Sequence, residues 1–210
     1  RSPSRGLGDV YKRQFQDRVD PFPSKIAQEI LQKEFGPKLD DIFKEIDLKV
    51  VASASIAQVY QGTLKDNNQK VAIKILRPNI DKIVARDIKT LNLLIFFVGI
   101  FSKFFAKTLR DLSDLLKSVS NSELDLLLEA SNAGKMKENL KELEGIYVPD
   151  IFWQYSSSKL LVLQWLEGTP FSNIAQINES KFSKQKIARN FVIAYFNQVY
   201  VDGFFHADMH

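Results

Sequence analysis

The sequence predicts an α+β fold in two lobes, a small antiparallel sheet followed by a helix-rich portion. Three observations predict it. Alternation of period two is confined to short runs, in two pairs, between Val59 and Trp165. Helical periodicity fills most of the remainder. Two short motifs, Val71-Ala72-Ile73-Lys74 and His206-Ala207-Asp208, stand in that order about 130 residues apart.

The elements follow in order. Residues 1–14 match an in-frame translation of a sequencing-library adapter better than coding sequence, and are set aside from the fold as a disordered scar. Pro21-Phe22-Pro23 is an extended entry, with Ser24 as N-cap of a helix carrying Ile26, Ile30 and Leu31 and ending at Gly36. Asp40 to Ile46 is expected as a second short helix. Val59–Leu64 and Lys70–Leu76 are strands joined by Asp66-Asn67-Asn68-Gln69, a turn sequence, so they form a hairpin. Pro78 closes the second strand. Ile80 to about Leu109 is helical, and Leu112–Leu143 is helical with a break near Ser120-Asn121. Tyr147–Tyr155 and Lys159–Trp165 are expected as two more strands. The chain is helical again from Phe171, with Phe191, Tyr195 and Val199 on one face of the last helix. The domain boundaries that follow are N-terminal helices over 15–48, a first lobe with a helical insert over 49–166, and the start of a second lobe over 167–210.

Composition narrows the function classes. The chain has 29 Lys+Arg against 25 Asp+Glu, a net charge of +4. Residues 1–14 hold four of the basic residues and one acid, so residues 15–210 carry 25 and 24. A net charge of +1 leaves no electrostatic case for nucleic acid. With no cysteine and two His, both in the last five residues, disulfides and a zinc site are not expected. The run Leu91–Phe105 is strongly apolar but contains Asn92, Gly99, Ser102 and Lys103. It falls short of the ~20 residues of a spanning helix. A buried or partner-facing helix is the expectation.

The two motifs supply the chemistry. A lysine on a V-A-I-K strand holds nucleotide phosphates, and an aspartate in an H-x-D loop is the catalytic carboxylate of phosphoryl transfer. Lys74 alternates with Val71, Ile73 and Ile75, so its ammonium faces away from them, toward a cleft. By itself it is an ordinary solvated strand lysine; Asp208 downstream gives it the catalytic reading. Such a lysine needs an acid. Glu129 sits among Leu126, Leu127 and Leu128, in a helix expected to be packed, and shares a face with Asp125. Before the lysine strand stands Val51-Ala52-Ser53-Ala54-Ser55-Ile56-Ala57-Gln58, a small-residue loop with no glycine, stiffer than a Gly-rich phosphate loop. Its hydroxyls are candidate phosphate donors. The whole is protein-kinase-like.

Four runs, ASIAQVYQGTL, VAIKILRPNI, ELDLLLEASNA and DGFFHADMH, resemble the UbiB family of atypical kinases, over about Phe15 to His210. The resemblance implies a kinase-like fold that binds ATP and Mg²⁺ and supports ubiquinone biosynthesis, with other proteins or lipid intermediates of that pathway as partners. It also implies association with the cytoplasmic face of the bacterial inner membrane. By position, Ala52, Ser53, Ala54 and Ser55 belong to the Ala-rich nucleotide loop. Lys74 matches the strand lysine, Glu129 its ion-pair partner and Asp208 the catalytic aspartate. Glu123 and Asp125 match a regulatory E-x-D motif. Leu163-Gln164-Trp165-Leu166 resembles the adenine-contacting hinge, with Gln164 where an acid is common. The family's K-x-G-Q motif is expected upstream of Phe15. Its Mg²⁺ ligands and membrane segments are expected beyond His210, so the fragment by itself is expected to be inactive. Two alternatives remain open: a small-molecule phosphotransferase of aminoglycoside-kinase type, and a non-catalytic, nucleotide-gated scaffold.

Overall fold

The computed structural model describes residues 19–171, 173–179 and 183–205. Around a four-stranded antiparallel sheet, whose strands lie side by side in chain order, it arranges helices on both faces. Helix α1, Ser24–Phe35, begins after Pro23, whose carbonyl accepts from the amide of Ile26. Ser24 is therefore the first helical residue and not the cap. Gly36 ends the helix at φ +55°, a conformation that glycine adopts without steric cost. A short turn and helix α2, Leu39–Ile42, lead into β1, Phe43–Ser53.

The helix expected over 40–46 is thus mostly strand. Ile46, Leu48 and Val50 alternate with Asp47 and Lys49, and this period-two pattern, paired on the following strand, outweighs the local helical reading. Strand β2 is Ala57–Leu64 and β3 is Lys70–Leu76, the expected hairpin. β4 is Leu160–Gln164. The strand expected over 147–155 is an isolated bridge, Ile151 to Leu163, followed by one 3₁₀ turn at Trp153–Tyr155.

Each face of the sheet has its own core. Tyr60, Leu64, Val71, Ile73, Ile75, Leu160 and Val162 meet Phe22, Ala27 and Leu31 on the face covered by α1. Each aliphatic side chain fully buried there stabilises the fold by roughly 1.5–3 kcal/mol. On the opposite face Ala57, Leu76 and Leu161 pack against Leu126 and Ala130 of helix α5, Leu126–Leu140.

Between the hairpin and α5 lie two antiparallel helices, α3 (Ile80–Phe101) and α4 (Lys103–Glu123), divided at Ser102. The break therefore falls inside the expected first helix, and the one expected near Ser120 comes instead at Leu124–Asp125. Ser102 turns extended and its hydroxyl accepts from the amide of Phe105, which caps α4. Of the two expectations for the apolar run 91–105, buried or partner-facing, burial does not hold: Ile95 is enclosed, whereas Phe96, Phe97, Ile100, Phe101, Phe104 and Phe105 are exposed. None of the described helices is long and apolar enough to cross a membrane.

After β4 come α6, Ile174–Glu179, and α7, Lys184–Phe196, which runs into a π turn at Asn197–Val201. Lys135 of α5 places its ammonium 4.3 Å from the ring centre of Phe204, joining α5 to the residues after α7.

Candidate active site

The site is built on the sheet face that carries Lys74. In antiparallel pairing, directly opposed residues share a face, as do residues two apart on one strand. Val59 and Leu161 oppose Lys74, Leu163 opposes Ala72, and Ala52 opposes Val59. Ala52, Val59, Ala72, Lys74, Leu161 and Leu163 therefore share one face, which Gln61, Asp47 and Lys70 continue beyond Ala72.

Helix α5 supplies the counter-charge. Leu126 and Ala130, one turn apart, anchor α5 to the sheet, and the amide of Leu126 donates to the carbonyl of Ser158. Asp125 is the N-cap: its carboxylate accepts from the amide of Leu127 at 3.0 Å. This geometry brings Glu129, in the first turn, to Lys74. The ammonium donates to both carboxylate oxygens at 2.7 Å. The pair is half-open, with side-chain exposures of 24% for Lys74 and 42% for Glu129. Leu127 and Leu128, expected to be packed with Leu126, are exposed instead. The stripe facing the sheet has room for one leucine of the three. Glu123, the last residue of α4, is exposed, and no hydrogen bond or ion pair of its side chain occurs among the described residues. Of the E-x-D residues, Asp125 thus has a structural duty as the helix cap.

The small-residue loop divides its side chains between two directions. Ala52 is on the Lys74 face. Ser53 opposes Gln58 and lies on the other face, where its hydroxyl donates to the carbonyl of Val19 at 2.8 Å and accepts from Arg77 at 2.9 Å. Gln58, fully buried, also reaches Ser53 at 3.4 Å and accepts from the Tyr60 hydroxyl at 2.7 Å. The Ser53 hydroxyl is occupied and turned from the lysine, which corrects its expected role as a phosphate donor. The cause is in β1: Asp47 opposes Gln61 and Ala52 opposes Val59, so five steps on β1 match two on β2. The odd difference reverses which face each later residue takes. The amide of Ala54 is used within the turn, donating to the carbonyl of Ala57 at 2.9 Å. Ser55 is exposed, and among the described residues neither its amide nor its hydroxyl has a partner within the chain.

Arg77 is the residue that sequence reasoning missed. Its guanidinium donates to the carbonyl of Ala54 at 3.0 Å and twice to that of Asp20 at 3.1 Å, and its own amide donates to Ile56 at 2.8 Å. It ties the segment before α1 to the small-residue loop. Its position three residues after Lys74, at the end of the strand, was the available signal.

At the other end of the surface, the hinge-like residues are already committed. The amide of Gln164 donates to the carbonyl of Asp150 at 2.8 Å, and that of Trp165 to Lys70 at 3.2 Å. The side-chain oxygen of Gln164 accepts from the Tyr147 hydroxyl at 2.7 Å and from the amide of Asp150. Gln164 thus secures the 147–150 segment. Leu163 faces the Lys74 surface and Leu166 is exposed. Asp208 and His206 lie outside the described residues. Among the described residues no three His, Asp or Glu side chains cluster as a metal site. A cleft of about 510 Å³ opens between Leu143–Ile146 and α7, lined by Arg189 and Asn190, away from Lys74. Helix α5 covers Leu161, and Ala52 is the exposed end of the Lys74 surface.

The sequence matches the ABC1 atypical kinase-like domain over residues 14–210. A curated relative, "Probable protein kinase UbiB" of Marinobacter nauticus, is 36% identical over 202 residues, covering 94% of this chain and 36% of the relative. Among solved structures, the Rv3197–erythromycin complex of Mycobacterium tuberculosis aligns with a TM-score of 0.59 and 25% identity, over 80% of this chain and 42% of that one. The chain spans about a third of the length of the curated relative.

Proposed function

Because the chain belongs to the ABC1 atypical kinase-like family, we propose that it carries the nucleotide-holding part of a UbiB-like kinase or ATPase. The observation that carries this reading is the bidentate Lys74–Glu129 pair, at 2.7 Å to both oxygens, beside the small and apolar side chains of Val59, Ala72 and Leu163. Such a surface fits Mg·ATP. Glu129 fixes the ammonium of Lys74 in one place, so that phosphate oxygens meet a charge already oriented. Ala72 and Leu163 offer a flat apolar floor for a purine. Ser55, with its amide and hydroxyl unengaged, is the loop's phosphate donor, in place of Ser53.

Bound Mg·ATP supplies the phosphoryl group and the metal charge; Asp208 is the carboxylate proposed to receive the acceptor's proton. The family resemblance and the UbiB-named relative extend the proposal to support of ubiquinone biosynthesis at the cytoplasmic face of the bacterial inner membrane. Proteins or lipid intermediates of that pathway are the proposed partners.

The test is calorimetric titration with Mg·ATP of the wild type and of Lys74→Met and Glu129→Gln. Affinity is expected to fall at least tenfold in Lys74→Met, the equivalent of ~1.4 kcal/mol. With Glu129 substantially exposed, solvent screens the pair, and its loss costs the fold only ~0.5–1 kcal/mol. Unchanged affinity in Lys74→Met overturns the reading. Binding without phosphoryl transfer, in protein carrying the flanking sequence its gene encodes, favours the scaffold over the kinase.

A further inference from the structure

We propose that the tip of the α3–α4 hairpin docks into the interfacial layer of an anionic lipid bilayer. The inference deepens the membrane element of the reading above and is independent of nucleotide binding at Lys74.

The hairpin satisfies its own seam with small groups. Ile95, Ala106 and Ser113 are buried, Ser113 donates to the Asn92 side-chain oxygen at 2.9 Å, and Gly99 lies against Ala106. The large side chains are left outside. Phe96, Phe97, Ile100, Phe101, Phe104 and Phe105 are all more than half exposed, Phe101 at 90% and Phe104 at 76%. At 100° per residue, the exposed positions from Leu93 to Phe101 sweep about 160° of α3. An arc that broad wraps the end of the hairpin, where a protein groove would meet a narrower stripe.

Charge selects the occupant. From Thr90 to Arg110 the tip carries Lys103, Lys107 and Arg110 and no carboxylate. Acids return at Asp87 and Asp111, toward the base. Aromatic side chains at the tip, beside a cationic stripe along one face of α4, match the acyl boundary and the phosphates of an anionic bilayer. A second copy seated tip to tip would set these cations against one another with no acid to pair them. The length fits too: Asn92 to Phe101 rises about 14 Å, enough for an interfacial depth of about 5–10 Å. No described helix is long and apolar enough to span.

The experiment is co-sedimentation of the purified 210-residue chain on phosphatidylcholine vesicles and on vesicles containing phosphatidylglycerol. Binding is expected on the anionic vesicles and should weaken as salt rises. Phe101→Glu with Phe104→Glu should reduce it at least tenfold, and Phe101→Leu with Phe104→Leu should retain it. Lys103→Glu with Lys107→Glu should reduce binding on anionic vesicles alone. Melting curves and Mg·ATP titration of each variant separate loss of folding, or failure of the Lys74 reading, from loss of docking. Equal vesicle binding by the Glu variants overturns the proposal, because another surface then holds the vesicle. Dissociation of a self-associated form by those variants, with vesicle binding unchanged, overturns it in favour of a second copy.

Discussion

Arg77 closes β3 and reaches back to two segments that are remote in sequence. Its planar fork serves Ala54, Ser53 and Asp20 at once, which a single ammonium cannot do. Arg77→Ala is expected to lower stability by ~1–2 kcal/mol, since several carbonyls lose a charged donor. It should also speed exchange of the Ala54 amide, which donates to Ala57 within the loop, and Arg77→Lys should restore only part of each effect. Exchange at Ala54 unchanged in Arg77→Ala would show that the loop holds itself. Lys74 and Glu129 were legible at this scale because motif spacing fixes which strand and which helix must meet. Ser53 was not. Its direction depends on an extra-residue irregularity in β1, and nothing in Val51–Ser55 announces where the count of residues departs from the partner strand.

Among the elements, the β2–β3 hairpin was the most legible, because alternation and turn residues agree. β1 was hidden behind Asp40–Asp41 and Phe43, which read equally well as one turn of helix; the cross-strand partner decided it. The expected strand over 147–155 failed for the opposite reason: only Ile151 finds a ladder partner, and Gln164 with Tyr147 holds the rest as loop. Gly62 exposes the tolerance of the β2–β3 contact. A Cβ there would stand 2.8 Å from Cδ1 of the buried Ile73 and 3.4 Å from Val71. Gly62→Ala is expected to cost ~1–3 kcal/mol through overpacking, and Gly62→Val more. Denaturant melts of the two variants and of Gly62→Ala combined with Ile73→Val measure it, and the double variant should recover part of the loss. Additive losses in the double variant would exclude the clash.

The fold class, an antiparallel sheet with helices before and after it, follows from sequence patterning, and the division of helices near Ser102 does not. Apolar runs tell a helix that it must find cover and not which neighbour provides it, so 91–105 read as buried or partner-facing, and its aromatic side chains face out. Over the whole molecule, stability depends on the Ser53–Gln58–Tyr60 chain in the interior. Burial raises the Tyr60 hydroxyl above its ordinary value of 10.0, and the nearby Arg77 charge lowers it by less. The folded chain therefore keeps a proton that the unfolded chain releases. Below about pH 10 both states hold it and stability is level. As pH climbs from there to the folded value, the unfolded state gains and stability declines. Tyr60→Phe should flatten that alkaline decline, while losing ~1–3 kcal/mol at neutral pH because Gln58 is left short of a donor. An alkaline decline equal in both proteins would place its origin elsewhere.

The sheet has two outer edges, and they are closed in different ways. Along β4, the amides of Phe152 and Gln164 bond across to Val162 and Asp150, so that edge is occupied. Along β1, the irregular register between Asp47 and Ala52 interrupts the row of free amides and carbonyls. A regular ladder of that length would be a template on which a second, partly folded chain could lengthen the sheet. The irregularity that turns Ser53 from the Lys74 surface also makes β1 a poorer template for an added strand. Straightening β1 to improve its pairing would trade colloidal safety for local order.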